Sequence, residues 1–286
     1  MSDASAPPPE SDGPRSSPAE HPEAHGFGSQ RRWPRELVIL LGLLVTLPLL
    51  VIWGARGLAE AAAVRLPPTM DEKLGRPSWE ALKLSGQRCA DPAAQRYVAG
   101  LLEPLIAALG ETPFRFELML VDAPEVNAFA LPGGFVVVNS GLLAEARTGE
   151  EVAGVLAHEL SHVTLRHSTK RIAGGLGVSA ALALVLGGID IGAPAYTLSY
   201  LASLGYERGQ EREADEHGQA LLERAGISPL GMATFFERLS SSLSPPELLS
   251  THPDPGDRAE RARTAAVGFQ PRVELPPPAG VACAAK

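Results

Sequence analysis

The sequence predicts an α+β fold that is mostly helical, with a small β-sheet and one N-terminal transmembrane helix. Three observations predict it. An uncharged apolar segment covers Leu37–Trp53, short alternating apolar runs fill 114–139, and helical patterns with recognisable caps dominate from there to about residue 267. A chain of 286 residues has room for one good-sized domain with appendages.

The first 56 residues read as a tail followed by an anchor. Residues 1–30 are rich in Pro, Ser, Ala and Glu, which predicts a disordered tail. Within 31–56, the 17 uncharged residues reach the lower limit of a spanning helix and exceed the usual apolar region of a signal peptide. A retained anchor is therefore favoured, although Ala61–Ala63 also fits a cleavage site. Arg31, Arg32 and Arg35 precede the segment, which predicts a cytoplasmic tail and an extracytoplasmic domain.

Composition limits the partners and the compartment. Acidic residues outnumber basic ones, 33 against 25, and no basic stripe alternates with aromatic residues, so nucleic acid is not expected as a partner. Cys89 and Cys283 flank the central region. They are either a disulfide or two unrelated thiols, and an extracytoplasmic domain favours the disulfide.

The elements after the anchor follow from local signals. Residues 57–90 contain Pro67-Pro68 and little periodicity, which predicts a linker. Residues 91–268 are expected to form the folded domain, and 269–286 a proline-rich tail. Within that domain the patterns predict a helix from Asp91 to Leu109, a strand at Phe114–Val121, a hairpin of Asn127–Leu131 and Phe135–Asn139 around Pro132-Gly133-Gly134, and a short helix at Ser140–Ala146.

The next helix, Thr148–His167, carries the motif H-E-x-x-H at His158, Glu159 and His162. Residues four apart lie on one helix face, so both imidazoles can bind one Zn²⁺, and the glutamate can act on a water molecule beside it. Thr148 and Glu151 fit an S/T-x-x-E capping box. The motif also occurs by chance on surface helices, but this helix has an apolar stripe, and burying these three side chains without a cation would be costly.

Further helices are predicted to complete the domain. The apolar segment Ile172–Gly192 is interrupted by glycines, and helices packed over the motif helix are favoured over a second span. The patterns then predict helices at Tyr196–Arg224 with Gly226 as the residue after the C-cap, at Ser228–Ser240 and at Asp254–Val267.

A catalytic zinc needs a third protein ligand from elsewhere in the chain. His167 lies five residues beyond His162, about 140° round the helix at ~100° per residue, and is expected to point away. His217 and His252 remain candidates. The acids Glu211, Glu213 and Asp215 are also candidates, although such a charged run is usually a solvated helix face. Spacing alone does not choose among them.

Four ordered motifs resemble the HtpX-like and CAAX-prenyl-protease-like family of gluzincin metallopeptidases. They are N-A-F-A-L-P-G-G with N-S-G-L-L at 127–143, H-E-L-S-H at 158–162, Y-x-R-x-x-E-x-x-A-D at 206–215, and T-H-P-x-P-x-x-R at 251–258. The resemblance covers about residues 92–267. It implies a zincin core in which Glu211 is the third ligand and Asp215 supports a ligand histidine.

The resemblance also assigns the substrate side of the site. It implies that Asn127, Ala128, Phe129 and Ala130 form an exposed sheet edge to which a peptide adds as a strand, as any free edge allows. It places His252 in a loop bordering the cleft, where its ring can hydrogen-bond the oxyanion. A surface His-Pro before a helix start is the alternative for that residue.

These observations predict a zinc endopeptidase in cell-envelope protein quality control. The expected substrates are unfolded or misassembled envelope proteins, and one N-terminal helix anchors the chain with its catalytic domain on the extracytoplasmic, periplasmic side. Glu159 is the expected catalytic base, with His252 as an oxyanion donor. The alternative is an anchored chaperone or assembly factor with a structural zinc, against which an intact Glu159 argues.

Overall fold

A computed structural model of the chain describes residues 34–186, 206–240, 247–252, 256–278, 280–281 and 283. The chain divides into two units, Met1–Val45 and Thr46–Lys286, and every residue of the site described below belongs to the second. The predicted tail 1–30, the end of the apolar segment at 187–192, and the predicted helix starts at Tyr196 and Asp254 lie outside the described residues.

The first helix, α1 (Arg35–Ala63), extends beyond the predicted anchor. Its apolar side chains are exposed, for example Leu40 and Leu44. Among the described residues it is the one helix that is long and apolar enough to cross a bilayer, and a signal sequence has the same properties. The structure is therefore consistent with either a membrane anchor or a leader.

The prediction of a linker at 57–90 is wrong, because a second helix, α2 (Thr69–Leu84), occupies much of it. Trp79 and Leu82 are buried in a cluster with Leu131 and Phe135, and the Trp79 and Phe135 rings stack with centroids 5.1 Å apart. Few apolar residues mark this helix, and Pro77 lies inside it, so its pattern resembled that of a loop. The packed region therefore begins before residue 91.

The described strands are β1 (Glu117–Val121), β2 (Ala128–Leu131) and β3 (Phe135–Asn139), in the order β1-β3-β2. β1 pairs with β3 in parallel, and β2 pairs with β3 as the predicted antiparallel hairpin, so β2 is an edge strand. The turn requires glycine: Gly133 has φ +92°, and a Cβ there would lie 2.5 Å from the Glu72 Cα atom.

Eight further helices surround the sheet in the described part of the chain. They are α3 (Pro92–Leu109), α4 (Ser140–Glu145), α5 (Gly149–Thr164), α6 (His167–Leu186), α7 (Arg208–Ala225), α8 (Leu230–Ser240), α9 (Glu247–Thr251) and α10 (Gly256–Ala266). Helix α5 is central: α3, α7 and α8 pack round it, and β2 lies beside it. Its side chains Val152, Leu156 and Leu160 are fully buried in the main core.

Caps explain where the central helices begin and end. The Thr148 hydroxyl accepts a hydrogen bond from the Glu151 N–H at the start of α5, as predicted. The reciprocal half of the predicted capping box is wrong, because the Glu151 carboxylate accepts from the Arg147 N–H instead. Helix α7 begins at Arg208, after Glu207 in an extended conformation, and ends before Gly226, whose φ of 75° is the predicted left-handed cap.

The residues after α10 return to the domain. A disulfide joins Cys283 to the buried Cys89 across 194 residues of sequence, as the favoured prediction had it. The Leu275 N–H donates to the Glu150 carboxylate at 3.0 Å, and the Tyr97 hydroxyl donates to the Pro276 carbonyl at 2.9 Å. The described part of 269–286 is therefore fastened to α3 and α5.

Candidate metal centre

Helix α5 presents its two motif histidines to one point, as their spacing predicts. The Nε2 atoms of His158 and His162 lie 2.9 Å apart, and both side chains are buried. They share a face because successive turns of an α-helix bring residues four apart into register. Two neutral imidazoles so placed offer two nitrogen lone pairs to a common cation.

A carboxylate from α7 and a third imidazole complete the group. Glu211 lies with one oxygen 3.4 Å from the His158 Nε2 atom and the other 3.4 Å from the His162 Nε2 atom. The His252 Nδ1 atom, just after α9, lies 3.0 Å from Glu211 Oε1 and 3.1 Å from His158 Nε2. The four ligand atoms all lie within 4.8 Å of one another.

The donor set fits a divalent metal ion. Among the described residues, Glu211 Oε2 and His252 Nε2 are buried without a hydrogen-bond partner, although the Arg258 Nη1 atom lies 3.1 Å from the former. Buried lone pairs are costly unless a donor or a cation satisfies them. Three imidazoles and one carboxylate in a buried cluster are a ligand set that a first-row divalent metal accepts.

Asp215 and Arg258 support this group from behind. The His158 Nδ1 atom lies 3.0 Å from Asp215 Oδ1, which fixes the ring so that Nε2 faces the other ligands. The Arg258 guanidinium donates to both Asp215 oxygens, at 2.9 and 2.7 Å, and stacks over the Phe236 ring at 3.9 Å. Burial alone would raise the pKa of Asp215, but the charges and hydrogen bonds of Arg258 and His158 together outweigh it and hold that pKa below its usual range.

The electrostatics of the two glutamates differ. Burial alone would raise the pKa of Glu211, yet His252 and His158 hold it well below the usual range, so this carboxylate stays ionised. Burial raises the pKa of Glu159 to about 7. The Ala130 amide lies near enough to favour its charged form, but among the described residues neither Glu159 oxygen has a hydrogen-bond partner. The nearest ring nitrogen, His252 Nε2, is 3.4 Å from Glu159 Oε1.

The prediction that His167 points away is wrong. Its Nδ1 atom lies 2.9 Å from the His162 Nδ1 atom, and its Nε2 atom lies 3.2 Å from the Glu213 carboxylate. Helix α5 ends at Thr164, and Arg166 has a left-handed φ of 58°, so a fixed angular step does not apply across this break. Burial lowers the pKa of His167 to about 4.

The remaining predicted residues have different surroundings. His217 lies apart from the group, with its Nδ1 atom 3.1 Å from the Ser161 hydroxyl. His252 was expected at the border of the cleft but lies buried inside the ligand group, where its backbone N–H donates to the Leu248 carbonyl of α9 at 2.9 Å. Tyr206 is the first residue of the sequence motif at 206–215. Its ring stacks on His162 at 3.7 Å, and no signal in the sequence predicted that contact.

Three residues of the predicted substrate segment, 128–130, lie in the edge strand β2, but the prediction that this edge is exposed is wrong, because Asn127, Ala128 and Ala130 are buried. Because the Asn139 N–H donates to the Asn127 carbonyl, the alternation of an antiparallel pair turns the backbone groups of Ala128 and Ala130 away from β3. Phe129 pairs with Val137 in the same register. The outward Ala130 carbonyl accepts a long hydrogen bond of 3.4 Å from the Ser168 hydroxyl.

Two buried histidines four apart on a core helix, a carboxylate from a second helix and an adjacent buried glutamate define a metallopeptidase of the H-E-x-x-H class. The chain matches peptidase family M48 over residues 92–266 and belongs to that family. The resemblance inferred from four motifs is thereby confirmed at the level of the family.

The chain is also similar to curated proteins that are named as proteases or metalloendopeptidases. The chain is 32% identical over 199 residues to the beta-barrel assembly-enhancing protease of Escherichia coli (strain K12), covering 64% of this chain and 41% of that protein. It is 34% identical over 203 residues to the metalloprotease LoiP of the same organism, covering 63% and 78%. It is 34% identical over 148 residues to the mitochondrial metalloendopeptidase OMA1 of Schizosaccharomyces pombe, covering 51% and 44%. The chain thus spans less than half the length of the assembly-enhancing protease.

Proposed function

We propose that this chain is a zinc-dependent endopeptidase in which His158, His162 and Glu211 hold the metal. The observation that carries the proposal is the convergence of these three buried side chains, from two helices, beside the buried carboxylate of Glu159. Two imidazoles and one carboxylate are the ligand set of many catalytic zinc sites. Zinc bound there lowers the pKa of a water molecule toward ~7 and polarises the scissile carbonyl.

Glu159 is the proposed general base. It takes a proton from the attacking water and passes it to the amine of the leaving peptide, so its carboxylate is regenerated in each turnover. A carboxylate whose pKa lies near 7 accepts and releases a proton near neutral pH, where general acid–base catalysis is most efficient. Its oxygens have no hydrogen-bond partner among the described residues, which leaves both available to the water.

His252 has two candidate effects on this chemistry. Its Nδ1 atom lies among the four atoms that could hold the metal, so a bound His252 would take the place that the attacking water needs. Hydrolysis in this arrangement therefore requires the ring to withdraw. A withdrawn His252 at the border of the cleft is placed to donate a hydrogen bond to the oxyanion, the role expected from the sequence.

The proposed substrate is an extended polypeptide that pairs with β2. The backbone groups of Ala128 and Ala130 that point away from β3 would offer donors and acceptors to any peptide backbone once the groups that bury them move aside, which suits an enzyme of broad sequence preference. A peptide in that position lies next to Glu159, since the Ala130 amide faces that carboxylate. The peptide displaces the Ser168 hydroxyl from the Ala130 carbonyl, a 3.4 Å contact that is easily exchanged.

The proposed location is the membrane, with α1 as a single anchor and the metallopeptidase domain that follows it on the periplasmic side. The length of α1, 29 residues at ~1.5 Å each, exceeds a ~30 Å hydrocarbon core. The Cys89–Cys283 disulfide supports an oxidising compartment. Unfolded or misassembled envelope proteins are the proposed substrates, since one relative is named for enhancing the assembly of β-barrels.

The test compares the full chain with its Glu159→Gln variant. The variant is expected to retain stoichiometric zinc and to lose cleavage of unfolded casein by at least about 100-fold, because only the base is removed. Glu216→Gln, the same chemical change at an exposed position on α7, is the matched control and is expected to cleave normally. Cleavage by the Glu159 variant at the wild-type rate would overturn the proposed mechanism.

A further inference from the structure

The two motif histidines are supported in different ways. His158 directs its Nδ1 atom to the carboxylate of Asp215, which is fully buried. In the part of the chain that the structure describes, the Nδ1 atom of His162 meets no carboxylate and lies 2.9 Å from the Nδ1 atom of a third ring, His167. That ring in turn directs its Nε2 atom at Glu213, whose side chain is 61% exposed.

The two contacts allow one consistent placement of protons. A histidine that binds a metal through Nε2 carries its proton on Nδ1, so the Nδ1–H group of His162 donates. The Nδ1 atom of His167 must then accept, which places the proton of that ring on Nε2. There it donates to Glu213 at 3.2 Å, so the Nδ1 atom of His162 and both ring nitrogens of His167 have complementary partners.

We propose that His167, backed by Glu213, is a positioning residue that fixes the tautomer and orientation of the metal ligand His162. The inference rests on the proposed zinc site. Because the acceptor is a neutral ring and the carboxylate behind it is exposed, most of the effect belongs to His167 and less to Glu213.

The turn between α5 and α6 places the His167 side chain next to His162. Arg166, in its left-handed conformation, donates to both oxygens of Asp71, at 3.1 and 2.6 Å, and to the Leu66 carbonyl at 2.8 Å. The Asp71 carboxylate is buried and also accepts from the Thr169 hydroxyl in α6. These contacts hold the backbone on both sides of His167, so the His167 ring points at His162 and not into solvent.

Two variants separate the hydrogen bond from the packing. His167→Phe keeps a ring but has no acceptor, whereas His167→Asn keeps an acceptor oxygen near the position of Nδ1. We expect His167→Phe to weaken zinc binding about 10- to 100-fold, the usual effect of removing an outer partner of a ligand histidine. His167→Asn is expected to restore most of that affinity, and Glu213→Gln to lower it by less than about threefold.

The measurement is the zinc dissociation constant of the full chain, by competition with a chromophoric chelator, with thermal unfolding of the metal-free protein measured in parallel. His217→Asn is the matched control, since that histidine contacts Ser161 and lies outside the ligand group. Affinity of His167→Phe within twofold of wild type would overturn the positioning role while leaving the zinc site intact. Equal losses in His167→Phe and His167→Asn would overturn it too, because packing alone would then explain them. A wild-type chain that binds no zinc would instead refute the proposed function.

Discussion

Replacing Glu159 by glutamine should abolish the peptidase activity of the zinc-loaded protein. In the metal-free protein, the same substitution should raise the free energy of unfolding. The carboxylate is fully buried, and its pKa rises from 4.5 to about 7 because burial disfavours the charged form. Glutamine has nearly the same shape and carries no charge at any pH. The variant therefore removes a cost that the wild-type protein incurs in order to keep an ionisable base in its core.

The size of the effect follows from that pKa. At about 1.4 kcal/mol per pKa unit, a rise from 4.5 to about 7 corresponds to about 3 kcal/mol. The folded state holds the proton more tightly, so the cost is absent below pH 4.5, grows as the pH rises, and is complete above about pH 7. We expect the variant to exceed wild type by about 3 kcal/mol at pH 8 and by less than about 1 kcal/mol at pH 5.

The assay is thermal and urea unfolding of chelator-treated protein at both pH values. For a domain of this size, about 3 kcal/mol corresponds to a melting temperature higher by roughly 6–12 °C at pH 8. Glu216→Gln makes the same chemical change on an exposed position and should leave the melting temperature unchanged. If Glu159→Gln were no more stable than wild type at pH 8, or were stabilised equally at pH 5 and pH 8, burial would not be raising the pKa of Glu159.

Three further outcomes are expected. Glu211→Ala should lose bound zinc, and stoichiometric metal by elemental analysis would show that Glu211 is not the required third ligand. Arg258→Met should lower the free energy of unfolding by up to about 3–5 kcal/mol, since it leaves the buried Asp215 paired with the more exposed Arg261 instead of Arg258, and Arg258→Lys should lower it less; a variant as stable as wild type in urea would refute this. Reduction of the Cys89–Cys283 disulfide should lower that free energy by at most about 5 kcal/mol, and a larger loss by calorimetry would exclude a loop-entropy origin.

The parts of the fold that the sequence predicts correctly are those with local signals. The hairpin follows from two apolar runs around Pro132-Gly133-Gly134, and the glycines are needed because the Glu72 and Arg115 backbones approach closely. The end of α7 follows from Gly226, which only has to adopt a left-handed conformation. The histidine pair of α5 is predictable for the same reason, since its geometry depends on one helix alone.

The predictions are wrong where contacts between residues far apart in the sequence determine the local structure. The angular argument for His167 assumed a continuous helix, but Asp71, 95 residues away, pairs with Arg166 at a break that no local residue marks. Helix α2 went unrecognised because Trp79 and Leu82 are explained only by the sheet they cover. Local spacing also left the choice among Glu211, Glu213 and Asp215 open, because the direction of α7 relative to α5 decides it.

The Asp71–Arg166 pair has a practical consequence for anyone shortening this protein. The match to the family begins at residue 92, so residue 92 is an obvious choice for the start of a soluble fragment. Such a fragment would lack Asp71 and the Leu66 carbonyl, so the Arg166 guanidinium would lose the partners that hold the backbone ahead of His167. Cutting instead at the α1–α2 junction, before Leu66, would remove the apolar helix and spare those partners, and only a fragment of that kind should report the metal affinity of the intact enzyme.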